Sequence, residues 1–255
     1  MKRAKTPRGA IRKSAASGAS KNGRSATSKP AGTRRPAGSR GQAGTDPKRV
    51  RAILAKLAEA YPQATCALVH EDPFELLIAT ILSAQCTDVR VNEVTRTLFE
   101  KYRTPEDFAY ANPRDLEAEI RPCGFFRSKT KSIQGASKKI VEEFSRDVPR
   151  TMEQLLTLPG VARKTANVVL GTAFGIPSGI VVDTHVQRLT RRLDLTENTD
   201  PKKIEQDLMK IIPQEKWIIF AHQLIWHGRR VCQARKPRCM ECNLERICYS
   251  EDKTI

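Results

Sequence analysis

Leu158-Pro159-Gly160-Val161-Ala162-Arg163-Lys164-Thr165-Ala166-Asn167-Val168-Val169-Leu170 reads as two helices meeting at a corner. The pattern predicts a helix ending at Leu158, a tight Pro159-Gly160 turn, and a second helix that opens at once. Gly160 takes a positive φ without steric cost and, lacking a side chain, lets the backbone approach a bound group closely. The first N–H groups of the second helix have no intrahelical acceptor and are expected to face outward. With the positive end of the helix dipole behind them they attract a phosphate, without sequence preference. An ordinary αα corner also explains a Pro-Gly turn, but the basic pair Arg163 and Lys164 follows directly.

Outward from this corner, the chain reads as short helices from Pro47 on. Their signature is a capping residue followed by proline, which presets the first turn and lacks only a donor that the turn does not need. It recurs at Asp72-Pro73, Thr104-Pro105, Asn112-Pro113 and Asp200-Pro201. Thr151 and Gln154 have the spacing of a capping box. Apolar residues recur at helical intervals at Val89, Val94, Leu98 and Phe99, and again at Ile204, Leu208, Ile211 and Ile212. Phe74 to Leu82 is apolar almost throughout and predicts a helix buried on most sides. No segment alternates as a strand does, so an all-α fold of about ten short helices is expected. At 255 residues the chain makes one large domain or two small ones, and it buries a core without needing a metal.

The formal charge of +17 is unevenly placed. Residues 1–45 hold twelve Lys and Arg and no Asp or Glu, leaving 33 basic against 28 acidic residues in the remainder, about +5. Residues 1–46 are rich in Gly, Ser, Ala, Pro and Arg and cannot bury enough surface to offset the entropy of ordering them. They are expected to form a disordered basic tail. Such an arm suits nucleic acid, through counterion release along the phosphates, with a merely solubilising tail as the plain alternative. An organelle transit peptide shares the Arg- and Ser-rich, acid-free composition, but the Gly and Pro content spoils its amphipathic helix. No apolar run approaches a membrane span, so no membrane partner is expected.

Lys164 falls in the first turn of the second hairpin helix, where the dipole disfavours its ammonium form and helps release a free amine. Such lysines form Schiff bases with masked aldehydes, and deoxyribose C1′ becomes one when its base is lost. A lysine near a helix start is otherwise a phosphate contact or a solvated side chain. Eighteen residues separate Lys164 from Asp183, which stands after the apolar run Ile180-Val181-Val182 and before Thr184-His185-Val186. Its carboxylate is expected at a buried helix entrance, as an N-cap, a reactant, or both.

Four of the seven cysteines cluster as C-x6-C-x2-C-x5-C: Cys232, Cys239, Cys242 and Cys248. Four thiolates within seventeen residues can hold a tetrahedral zinc or an iron–sulfur cluster, and the spacing alone does not choose between them. Disulfides fit poorly, because no secretory signal is visible and an odd total leaves a thiol unpaired.

Taken together, Leu158 to Leu170, Val182-Asp183-Thr184-His185, His227-Gly228-Arg229-Arg230-Val231-Cys232 and the cysteine spacing resemble the endonuclease III family of DNA glycosylases, over residues of about 47 to 250. The resemblance implies an all-α fold of two helical domains with duplex DNA bound across the cleft between them. Residues 66–176 would form a six-helix domain containing the helix-hairpin-helix at 158–170. Residues 47–65 and 177–255 would form the domain whose loop 232–248 holds a [4Fe-4S] cluster; the resemblance, not the spacing, selects iron. It further implies a bifunctional glycosylase and abasic-site lyase that excises oxidised pyrimidines and cuts the strand by β-elimination. Lys164 matches the family's nucleophile and Asp183 its carboxylate. Leu158, Gly160, Val161 and Arg163 would meet the DNA backbone at the hairpin, and Lys236 and Arg238 would reach phosphates from the cluster loop.

Two more positions match. Gln85, in Ile81-Leu-Ser-Ala-Gln-Cys-Thr-Asp88, corresponds to the glutamine that fills the gap left by the extruded nucleotide. Phe125 stands where bacterial members often have a leucine wedge, with Phe126 an alternative for that task. Cys86, where the motif commonly has alanine, reads as inert packing. The rivals are an adenine mismatch glycosylase, which uses water rather than a lysine, and a non-catalytic iron–sulfur DNA-binding protein. Lys164 speaks against the first, as does an expected lack of any further lesion-reading domain after Cys248; Lys164 with Asp183 speaks against the second. A monomer that meets damaged duplex DNA inside the cell is expected, in bacterial cytoplasm or nucleoid, with nucleus or organelle as the open alternatives.

Overall fold

The structure is a computed structural model and describes residues 44–254. The expected disorder of the basic tail falls almost wholly outside those residues. Eleven α-helices run between Pro47 and Arg230, and no strand is present among the described residues. They are α1 (Pro47–Ala60), α2 (Pro73–Leu82), α3 (Asp88–Lys101), α4 (Pro105–Tyr110), α5 (Pro113–Ile120), α6 (Phe126–Glu143), α7 (Met152–Leu155), α8 (Arg163–Phe174), α9 (Thr184–Arg192), α10 (Pro201–Ile211) and α11 (Trp217–Arg230).

Local chemistry sets most helix starts. Asp72, Thr104, Asn112 and Asp200 each accept a hydrogen bond from a first-turn N–H with proline behind them, as expected, and Asp46 does the same before Pro47. Each such cap is worth about 1 kcal/mol. The reciprocal capping box lies at Thr104 and Asp107, not at Thr151 and Gln154. Thr151 does accept from the Gln154 N–H, but the Gln154 side chain meets the Thr151 hydroxyl rather than its backbone N–H.

The apolar faces divide into two cores. The first draws on residues from Leu68 to Leu170 and encloses α2, whose Phe74, Leu76 to Ala79, Ile81 and Leu82 are all buried. Phe108 of α4 lies within it against Phe74, Phe99 and Tyr102. Truncating that ring to alanine costs about 3–5 kcal/mol. In α3 the expected face is corrected: Val89 is 70% exposed, and the inward stripe is Val91, Val94, Thr95 and Leu98. Those four follow true helical spacing, whereas Val89 to Val94 crosses between faces. The second core joins Val50 to Ala64 with Ile180 to Leu244 and unites α1 with α9, α10 and α11. Buried Arg49 pins α1 by donating to the carbonyls of Leu193 and Ile247. Between the cores, Arg163 of α8 pairs with Glu205 of α10, and Arg229 of α11 pairs with Asp88 of α3.

Candidate functional site

The hairpin is a four-residue turn whose Val161 N–H donates to the Leu158 carbonyl at 3.1 Å, with Pro159 and Gly160 at its centre. Gly160 sits at φ +77°, the geometry a type II turn requires at its third residue. A Cβ there would also lie 2.5 Å from Ser132 Cβ, so the turn seats directly on α6. The first helix of the pair ends earlier than its sequence suggests, at Leu155, and Thr157 and Leu158 continue it only as single turns onto Gln154 and Leu155. Leu158 and Val161 are 2% and 7% exposed. Their side chains anchor the corner in the first core, which leaves any external contact to their backbone.

The second helix, α8, follows the cap residue Ala162, which has no side-chain acceptor for the first-turn N–H groups. Lys164 lies in that turn, exposed, with no hydrogen bond or ion pair among the described residues. Arg163 differs from expectation. Its guanidinium forks onto the Glu205 carboxylate at 2.8 and 3.1 Å, and this pairing raises its pKa. The pair ties the start of α8 to α10, while the Arg163 side chain stays 40% exposed.

Asp183 caps α9, its Oδ1 accepting from Val186 N–H at 2.8 Å, and it is half-buried. The expected helix entrance is therefore where the structure has it. Its charge is felt by two histidines that sequence did not single out. Burial lowers the pKa of both His222 and His185, and the Asp183 carboxylate opposes that lowering in each. Glu205 also escaped notice; it is 5% exposed and binds Asn167 of α8 at 2.7 Å besides Arg163.

Gln85 and Phe125 share an unusual backbone. Both are exposed, and both take left-handed φ values, +54° and +47°. Such a conformation in a residue with a side chain marks a loop over-determined by its surroundings. Phe126 is half-buried against the first core, with Arg121 and Arg127 over its ring. Of the two aromatic candidates, Phe125 is the one turned to solvent.

All four clustered cysteines line one pocket, together with Arg192, Arg238 and Lys253. Burial first, and then the negative charge of Cys248, Cys232 and Cys239, pushes the Cys242 thiol up to about 11. Four sulfurs gathered in one pocket form a donor set that a cationic metal centre fits. N–H donors already reach the sulfurs: Arg192 Nη1 is 3.3 Å from Cys232 and Thr254 N is 3.4 Å from Cys239. His227 bridges Tyr61 Oη at 2.9 Å and Cys242 Sγ at 3.4 Å. Among the described residues no three Cys, His, Asp or Glu side chains converge on a single-ion site. On the rim, Lys236 is exposed and without an ion pair among the described residues. Arg238, also exposed, donates to Glu241 at 3.0 Å and to the Arg230 carbonyl. No helix among the described residues is long and apolar enough to cross a membrane.

Comparison with known proteins follows the same lines. A family model described as HhH-GPD superfamily base excision DNA repair protein matches residues 78–214. The chain is 58% identical over 203 residues to endonuclease III of Synechocystis sp., covering 80% of this chain and 93% of that one. It is 46% identical over 207 residues to endonuclease III of Bacillus subtilis, covering 81% and 94%. A solved endonuclease III–DNA covalent intermediate superposes with a TM-score of 0.76 at 46% identity, over 80% of this chain and 95% of that chain. A thermostable thymine-DNA glycosylase, at 22% identity and a TM-score of 0.71, shares the fold.

Proposed function

The chain belongs to the endonuclease III family of the HhH-GPD superfamily, base excision repair DNA glycosylases with abasic-site lyase activity, and on that premise we propose the residues and lesions through which it acts. The substrate is an oxidised pyrimidine in duplex DNA, extruded from the stack at a lower cost than an intact base. Lys164 is the nucleophile. The observation that carries this role is an exposed amine, bound to no protein group among the described residues, at the uncapped start of α8.

Asp183 takes the proton from the Lys164 ammonium, with Oδ1 fixed by the Val186 N–H. The freed amine attacks C1′, the glycosidic bond breaks, and the base departs with its electron pair and is protonated. The base takes its proton from Asp183, and the restored carboxylate stabilises the positive charge left on the sugar. The sugar ring then opens at the C1′–O4′ bond, O4′ taking a proton, and the resulting imine acidifies C2′; loss of that proton expels the 3′ phosphate by β-elimination, and water then frees the lysine.

Binding divides among several groups. Backbone N–H groups at Gly160 to Lys164 hold a phosphate, as the bare helix start favours. Gln85 fills the vacated space and Phe125 wedges the opposite strand, each held outward on a left-handed residue. Lys236 meets a phosphate from the cluster loop. Cys232, Cys239, Cys242 and Cys248 hold a [4Fe-4S] cluster that supplies no step of the reaction and ties the 232–248 loop to α9 and α11. The separate cores support one domain over 66–176, with seven helices (α2 to α8) where six were expected, and a cluster domain from 47–65 with 177–255, the DNA lying across the cleft between them. The protein acts as a monomer on DNA inside the cell, and its tail, residues 1–46, adds a salt-sensitive electrostatic attraction.

Duplexes that each carry one defined lesion test the reading. Oxidised pyrimidines and abasic sites should be cleaved 3′ to the lesion and trapped by borohydride, while mispaired adenine should not be released. Release of adenine without covalent trapping would contradict it.

A further inference from the structure

Cys86 directly follows the exposed Gln85, and Cys123 precedes the exposed Phe125 by two residues. Neither cysteine has a part in the mechanism above. Cys86 is half-buried and Cys123 is 3% exposed. The two thiols are neighbours: Cys86 packs on the core that contains Cys123, and each is felt by the Lys129 ammonium, which brings together loops 37 residues apart in the chain.

Beside them is Lys129 of α6, the one lysine buried among the described residues, at 5% exposure. Its ammonium donates to the Leu82 carbonyl at 2.8 Å and to the Cys123 carbonyl at 2.9 Å. One cation thus fastens the end of α2 to the segment before Gly124. The loops are also turned back on themselves, Cys86 N–H onto the Ser83 carbonyl and Gly124 N–H onto Arg121, each at 3.1 Å. Two thiols, a buried ammonium and two short loops ending in outward probes make a single cluster. Burial pushes the Cys123 thiol up to about 11, with the charges of Lys129 and Arg90 opposing it. Cys86, the more accessible sulfur, is therefore the one an oxidant meets.

We propose that Cys86 and Cys123 form an oxidisable dithiol whose oxidant is a peroxide, and that the closed disulfide locks the Gln85 and Phe125 loops together and slows excision. The sulfur of Cys86, as thiolate, attacks the peroxide O–O bond and becomes a sulfenic acid, releasing one water after protonation. The sulfur of Cys123 displaces the hydroxyl from Cys86, releasing a second water as the S–S bond forms. Overall, two thiols lose two hydrogens and two electrons, and hydrogen peroxide becomes two waters. A dithiol reductant reverses the bond by exchange. The effect on excision rests on the role proposed above for these loops, which must adjust independently as a nucleotide leaves the stack.

The test uses the full-length protein with its cluster. After hydrogen peroxide treatment, alkylation and digestion, mass spectrometry should find a peptide cross-linked through Cys86 and Cys123. Single-turnover excision should fall on the order of tenfold or more, because a small displacement of positioning groups is amplified in rate. Dithiothreitol should restore it, with the cluster's visible absorption unchanged throughout. Cys86→Ala should keep its basal activity and resist peroxide, and Cys123→Ser should likewise form no cross-link. Absence of the cross-linked peptide overturns the proposal. So does a disulfide that leaves excision untouched, or a Cys86→Ala protein as peroxide-sensitive as the parent. Borohydride trapping by untreated protein reports separately on the proposed function, since the cross-link is read without any DNA.

Discussion

Helices α8 and α9 begin on either side of the proposed chemistry, and they begin in opposite ways. Before α8 stands Ala162, with no acceptor to offer; before α9 stands Asp183, whose Oδ1 takes the Val186 N–H at 2.8 Å. Seven other helices begin as α9 does, α1 to α5, α7 and α10 all being capped by a side chain, whereas α6 and α11 start without a side-chain cap, as α8 does. The bare start of α8 forgoes about 1 kcal/mol of capping. What it keeps is a set of unpaired donors and a clear approach for Lys164. The capped start of α9 does the reverse, holding a carboxylate rigid by one oxygen while Oδ2 has no hydrogen bond among the described residues. One helix start is left open for a ligand, and the other is closed to fix a reactant.

The sharpest way to break this contrast is to remove the amine. Lys164→Gln should abolish covalent trapping and lower excision by on the order of 10³-fold or more, while a filter-binding assay shows DNA affinity largely kept. Next in size is Asp183→Asn, which preserves the cap because Asn serves there as well as Asp. Its melting temperature should barely move, yet single-turnover excision should fall by on the order of 10²-fold. A cap-only role would leave the rate intact. In the same variant the pKa of His222, measured by NMR titration, should drop further, since the carboxylate that opposes its lowering by burial is gone. Smallest is Ala162→Asp, which gives α8 the cap that α9 has. The protein should gain about 1 kcal/mol in denaturant unfolding. Its affinity for abasic DNA should weaken by about tenfold as the donors turn inward and a like charge meets the phosphate.

The sequence made the capped starts legible because capping is decided within three residues. Asp72, Thr104, Asn112 and Asp200 were recognisable from the following proline alone, and the run from Phe74 to Leu82, apolar but for Glu75 and Thr80, reads as a buried helix. The turn at Pro159-Gly160 was equally plain, since so few residues accept φ +77°. Where the first hairpin helix stops was not, because Thr157 and Leu158 continue it through weaker single turns. Partners distant in the chain were invisible. Arg163 looked free for a phosphate until Glu205, 42 residues away, claimed it. Cys86 passed for packing because nothing near it in sequence reveals Cys123. Lysine and carboxylate could be named from motif order, but the role of Ala162 emerged only beside the caps of its neighbours.

Identifying the lysine that carries the sugar is the most direct measurement. Protein trapped with borohydride on abasic duplex DNA, then digested with nuclease and protease, should carry the reduced deoxyribose remnant on Lys164 and on no other amine. A remnant found elsewhere, on Lys129, Lys236 or the N-terminus, or trapping that persists undiminished in Lys164→Gln, would contradict the assignment of α8 as the reactive helix.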